Sequence, residues 1–181
     1  MRRVIGVVCG LVALACSDNS PSSPEQFISL ASILQPSANN SDLAPPTVFN
    51  TTMLSSLESP ACTSDSKGNA HVSVDGGGTV HSNVHINNQG DEVVRFGHIH
   101  HLNVGAATGP IIWWVSAPTG TNLQLTDRNL RFTQVGDFNA TNGHFATHAD
   151  AVAELLENPG DFYVNFHSNA CPGGFARGFL D

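Results

Sequence analysis

The sequence predicts an all-β domain: a Greek-key-like antiparallel β-sandwich or barrel with one short helix before the penultimate strand. Three observations carry this. From Val48 onward, short apolar or alternating runs are separated by clusters of Gly, Asn, Asp and Pro, the rhythm of strands and turns. Small and polar turn-forming residues are plentiful, with 17 Gly and 10 Pro, and long helical patterns are few. Several short strands at this spacing are the pattern of sandwiches and Greek-key barrels.

The elements follow in order. Residues 52–57 are the first expected strand. Residues 70–74 form a second, closed by the hairpin turn Asp75-Gly76-Gly77-Gly78. Residues 79–86 form a third, with Val80, Val84 and Ile86 on one face and His81, Asn83 and His85 on the other. The turn cluster Asn87-Asn88-Gln89-Gly90-Asp91 leads into a fourth strand, 92–101. Residues 110–115 are short and wholly apolar, a fifth strand whose Trp113 and Trp114 face opposite sides, one of them in the core. The segments around 123–125 and 129–135 stay open. Residues 149–157 carry Ala and Leu helix propensity and stop before Asn158-Pro159-Gly160. Residues 162–167 are strongly β-prone. Pro172-Gly173-Gly174 turns the chain, and 175–180 pairs antiparallel with the strand before it.

The start of the chain reads as an address. Arg2-Arg3 is a positive n-region, and residues 4–14 are an apolar core too short to span a bilayer comfortably. Ala15-Cys16 follows, then polar Ser17-Asp18-Asn19. A Cys directly after a small residue resembles a bacterial lipoprotein signal, with Cys16 lipidated and serving as a membrane anchor. Ala13 stands where such signals usually carry Leu. Plain signal cleavage near Ala15 is the alternative. Ser17 resembles the signal for sorting to the outer membrane. Residues 1–16 are then the signal, 17–47 a Ser/Pro/Asn-rich tether interrupted by the apolar stretch 27–34, and 48–181 the folded β domain. The expected location is the bacterial cell envelope, as an outer-membrane lipoprotein or a secreted protein.

Charge and cysteines narrow the function. The chain has seven Lys and Arg against fifteen Asp and Glu; without Arg2 and Arg3, five basic residues face fifteen acidic ones. Nucleic acid is excluded as a partner, because phosphate binding needs a basic patch. A polybasic membrane-binding surface is excluded for the same reason. Of four cysteines, Cys9 leaves with the signal and Cys16 is lipidated or lost. Cys62 and Cys171 remain, and in an oxidising compartment a disulfide is the default. Neither lies in a CxxC pair, so a zinc ribbon is not indicated.

Two motifs then narrow the family. Gly97-His98-Ile99-His100, followed by Gly105 and by Gly109-Pro110-Ile111, resembles the first signature of the CHRD domain, named for chordin. Tyr163-Val164-Asn165-Phe166-His167-Ser168, then Pro172-Gly173-Gly174 and Arg177-Gly178, resembles the second. Leu57-Glu58-Ser59-Pro60 and Gly68-Asn69-Ala70 resemble the family's opening segment, so the likeness covers 48–181. Phe175 stands where the family commonly has Glu, Ser168 where Thr is usual, and the loop between His100 and Gly109 is slightly long. The resemblance implies an exported β-sandwich with no established reaction. In animals such domains belong to extracellular regulators of bone morphogenetic proteins, and bacteria carry them in many secreted proteins.

The histidines carry the chemistry. Three of the nine lie at 98, 100 and 101. On a strand, His98 and His100 share a face and His101 takes the other. Neutral imidazole is a good ligand for copper and zinc. His167 would add a third nitrogen if its strand lies alongside, and His85 a fourth. The competing reading is a hydrogen-bonded network of His98, Asn165, His167 and Arg177 that fixes strand register. Arg177 suits that network, because a guanidinium beside a metal repels it. His71, His81, His144 and His148 read as exposed polar positions. A His-x-His strand in a sandwich is also similar to copper–zinc superoxide dismutases, an analogy of fold alone. No nucleophile elbow, paired carboxylates or phosphate-cradling loop stands out, so catalysis is not the favoured reading. The sequence thus points to an envelope-anchored binding or interaction module with an extracellular protein or glycan partner. The alternative is a copper- or zinc-binding protein using the His98/His100 cluster.

Overall fold

A computed structural model describes residues 44–90, 92–116 and 122–181. Cys16, the signal, the stretch 27–34 and nearly all of the tether lie outside the described residues. The strands are β1 (Thr47–Met53), β2 (Lys67–Val74), β3 (Val80–Asn87), β4 (Val94–His101), β5 (Ile111–Trp114), β6 (Asn129–Gly136), β7 (Phe162–Ser168) and β8 (Ala176–Phe179). The helix α1 (His148–Glu157) precedes β7, and 3-10 turns occupy Ser55–Leu57 and Pro159–Asp161. Two antiparallel four-stranded sheets result, ordered β1-β2-β3-β6 and β5-β4-β7-β8. After β3 the chain leaves the first sheet, forms the β4–β5 pair in the second, and returns as β6 beside β3. That is the expected β-sandwich with its helix before the last strands.

One boundary differs from the sequence reading. The first strand is Thr47–Met53, and the expected 52–57 strand is mostly a 3-10 turn. Phe49 and Met53 are the inward pair on β1, opposite Val72 and Gly68. Leu54 and Leu57, which extended the apolar run in sequence, are 38% and 41% exposed. There the chain has turned away to bridge Leu54 to Arg177 of β8. The open segment 129–135 is β6, paired along its length with β3.

The core lies between the sheets. Val72, Val80, Val84, Ile86 and Phe132 face Ile99, Val164 and Phe166, all buried. The Phe132 and Phe166 rings meet at 5.0 Å across the sandwich. Each such side chain is worth roughly 1.5–3 kcal/mol on burial. A register slip of one residue would turn all of those on its strand outward. This locks β4 and β7 in place and sends the residues between the core positions to the outer face. The helix adds Ala151, Val152 and Leu155 to the same apolar cluster. Its Thr147 cap accepts the Asp150 amide at 3.1 Å. Cys62 and Cys171 are joined by a disulfide.

Candidate metal centre

The outward residues of the second sheet form a layer of their own. β4 supplies His98 and His100, β7 supplies Tyr163, Asn165 and His167, β5 supplies Trp114 and β8 supplies Arg177. The register places His98 opposite Asn165, His100 opposite Tyr163 and Phe96 opposite His167, so His98 and His167 meet on a diagonal. An outer sheet face would ordinarily be wet. Here backbone atoms of Ala107, Gly109 and Pro172 bond to side chains of this layer, and Glu58 joins them from the segment after β1. Most of the layer is consequently buried, with His98 3% and His100 8% exposed, while Trp114 and His167 are half-buried.

Within it three imidazoles converge. The His98 ring centroid is 5.5 Å from that of His100 and 5.1 Å from that of His167. One ring nitrogen from each of the three lies within 4.8 Å of the others. His100 Nδ1 stands 2.9 Å from the Gly109 carbonyl, and His167 Nδ1 2.8 Å from that of Pro172. A carbonyl only accepts, so each Nδ1 carries the proton and each Nε2 keeps its lone pair. Those two Nε2 atoms, both nitrogens of His98 and Asn165 Oδ1 are buried without a hydrogen-bond partner among the described residues. Each such atom costs about 1–3 kcal/mol when left unpaired. Orientation of a ligating histidine by its second nitrogen is a recurrent feature of metal sites.

Electrostatics keep the rings neutral. Burial pushes His98 down to about 3 and His100 down to about 4, and it also lowers His167. The free lone pairs are therefore available at neutral pH. Aromatic rings wall the cluster. Trp114 meets His98 edge-on at 4.2 Å, Phe96 stacks on it at 5.9 Å, and Tyr163 lies parallel to His100 at 4.7 Å.

The expected network of His98, Asn165, His167 and Arg177 is not what forms. Asn165 donates to both Glu58 oxygens, at 3.2 and 3.0 Å. Arg177 Nε stands 3.2 Å from Glu58 Oε2, and its other end donates to the Ala107 carbonyl at 2.8 Å. The guanidinium carbon also sits 4.1 Å above the Tyr163 ring. A buried guanidinium needs an anion, so Asn165 and Arg177 close on Glu58, and His98 and His167 stand outside that set. Burial of Glu58 raises its pKa to about 7, against the opposing pull of Asn165 and Arg177. Glu58 was missed as a site residue. Its signal was a lone acid in an otherwise neutral stretch, within the segment resembling the family's opening. Phe175, at the position where the family commonly has Glu, is wholly buried in the apolar core.

His85 is not brought to the cluster, against the expectation that it would add a fourth nitrogen. It lies on β3 of the other sheet, lining an open groove with Asn50, Thr52, Asn69 and His71. β3 pairs only with β2 and β6, so its outward residues sit on the opposite side of the sandwich. His101 points to the inner side, as expected, against Phe145 and Phe162. Trp113 is the core indole and Trp114 the one beside His98. His148, read from sequence as exposed, is partly buried: it accepts the Phe138 amide and bonds the Gly78 carbonyl.

The class this defines is a two-sheet β-sandwich carrying a buried three-histidine cluster on the outer face of one sheet. The CHRD domain profile matches residues 49–180. That is most of the chain and all eight strands but the start of the first, and the chain belongs to the CHRD domain family. No curated protein and no solved structure matches it.

Proposed function

We propose that this chain is an exported, envelope-anchored binding module whose ligand is a copper or zinc ion held by His98, His100 and His167. One observation carries the reading: ring nitrogens with free lone pairs, buried and unpartnered, converge from two strands. A metal ion would take one lone pair from each of the three rings, and the second nitrogen of His98 then keeps an N–H with no partner among the described residues. Nitrogens bound to one zinc at about 2.0–2.1 Å stand roughly 3.3–3.5 Å apart. Closing from within 4.8 Å asks for small ring rotations. The Arg2-Arg3 start, the apolar run and Ala15-Cys16 support export and lipid anchoring.

The second reading is a purely structural polar cluster in a module whose partner is an extracellular protein or glycan. Arg177 on the same face favours it, since its charge opposes a cation. A superoxide dismutase-like enzyme is not advanced, because turnover needs an ion open to substrate and these nitrogens are buried. Metal analysis and equilibrium dialysis of protein lacking a polyhistidine tag decide between the readings. One copper or zinc per chain, lost in a folded His98→Ala/His100→Ala variant, supports the metal module. Protein that takes up neither ion at micromolar concentration refutes it.

A further inference from the structure

We infer that the three-histidine cluster is built for a monovalent ion, cuprous copper, in preference to zinc or cupric copper. This rests on the metal-site reading above and adds the ion's charge. Three observations carry it. First, the donors are all neutral: among the described residues, no carboxylate or thiol joins His98, His100 and His167 in the set. Second, the outer acceptors that orient two of the rings are the carbonyls of Gly109 and Pro172, not carboxylates. A carboxylate there would raise ligand basicity and offset the charge of a dication. Third, the inward ring nitrogens are buried and share their face with Arg177, which is paired to Glu58. Arg177 lies over one ring, Tyr163, that itself stacks on His100.

Charge magnitudes decide the ion. The cost of moving an ion out of water grows with the square of its charge, so a dication pays four times the penalty of a monocation of equal size. Repulsion from Arg177 grows in proportion to the charge. Through the Tyr163 ring the guanidinium lies within about 9 Å of the His100 ring, where a lone charge at an effective dielectric near 20 would weaken binding of the second unit of charge about twentyfold. Its Glu58 partner offsets that repulsion, so the discrimination rests chiefly on the desolvation cost. Imidazole binds copper well, so a three-coordinate cuprous ion keeps its donors and escapes most of both penalties.

The test is an anaerobic competition titration. Free thiols are first alkylated, so that cysteines other than the Cys62–Cys171 pair bind nothing. Cuprous ion is titrated against a chromophoric cuprous chelator, and zinc and cupric ion against chelators of their own. The expected result is one cuprous ion per chain, bound at least about tenfold more tightly than zinc. X-ray absorption should show nitrogen and no sulfur around it, and a His98→Gln/His100→Gln variant should lose it. An Arg177→Met/Glu58→Gln variant removes the ion pair whole and should keep the preference for cuprous ion over zinc, because that preference rests on the neutral, buried donor set. If that variant does not fold, the wild-type ratio alone decides. Zinc or cupric ion held at these histidines as tightly as cuprous ion overturns the inference and leaves the metal module standing. Protein that binds none of the three ions overturns both.

Discussion

Acidification tests whether His98 and His100 are buried and neutral in the metal-free protein. Burial holds them at about 3 and about 4, whereas an unfolded chain protonates its histidines near about 6.5. Their folded pKa values are lowered, so the unfolded state binds more protons below about 6.5 and stability falls as the pH falls toward 3–4. Between about pH 7.5 and about pH 5.0, each unfolded histidine gains about 2 kcal/mol that the folded one does not, or about 4 kcal/mol for the pair. Glu58 acts in the opposite sense. Its folded pKa is raised from 4.5 to about 7, so on the same descent the folded state takes up a proton that the unfolded state does not. That returns about 2 kcal/mol. His167, also lowered, adds to the loss. The assay is urea unfolding with a chelator present, at both pH values, for wild type and for a His98→Leu/His100→Leu variant. Wild type should lose at least about 2 kcal/mol on acidification, and the variant's loss should be smaller by about 4 kcal/mol. Equal losses in the two proteins would refute the burial of neutral imidazoles. Groups common to both cancel in that comparison.

Three other perturbations follow from the same geometry. Gly174 has φ +130°, and a Cβ there would collide with the Glu58 carboxylate and the Asn165 amide; Gly174→Ala should destabilise by about 3 kcal/mol or more, read as a lower urea midpoint at unchanged slope. The disulfide spans 109 residues, so Cys62→Ala/Cys171→Ala should cost about 4–5 kcal/mol on the chain-entropy account, and a thiol probe should label neither residue in denatured, unreduced wild type. Thr147→Ala, which removes the helix cap, should cost about 1 kcal/mol of thermal stability; no measurable change would mean that packing alone sets the start of α1.

The sheet faces were legible because strand alternation is a local property. The faces of β3 and the separation of His98 and His100 from His101 follow from a period of two and a buried partner sheet. The two family motifs marked the strands that became β4 and β7 but left open whether they lie side by side, which the pairing of His98 with Asn165 answers. The destination of His85 was not legible: which sheet a strand joins depends on long-range pairing, and sequence separation says nothing about it. The role of Glu58 was hidden for the same reason, since its partner Asn165 is 107 positions away. The first strand was misplaced because Leu54 and Leu57 mimic inward positions, although the chain has already left the sheet there.

The outer-face position of the cluster bears on what it is for. A sandwich stabilises itself through the layer between its sheets, and here that layer is apolar and complete. Polar groups needed only for register would be as effective wet. Yet this outer face is roofed by the segment carrying Glu58 and by the turn carrying Pro172, and the disulfide ties Cys62, shortly after the first, to Cys171 in the second. The roof pairs the Asn165 amide nitrogen with Glu58 and Arg177 with Glu58 and Ala107, and it orients two histidines through Gly109 and Pro172. It leaves the lone pairs that face one another unsatisfied. The one donor among those nitrogens is the single N–H of the neutral His98 ring. A roof that spends its hydrogen bonds on orienting the rings, and none on their inward nitrogens, is arranged around something those nitrogens are to hold.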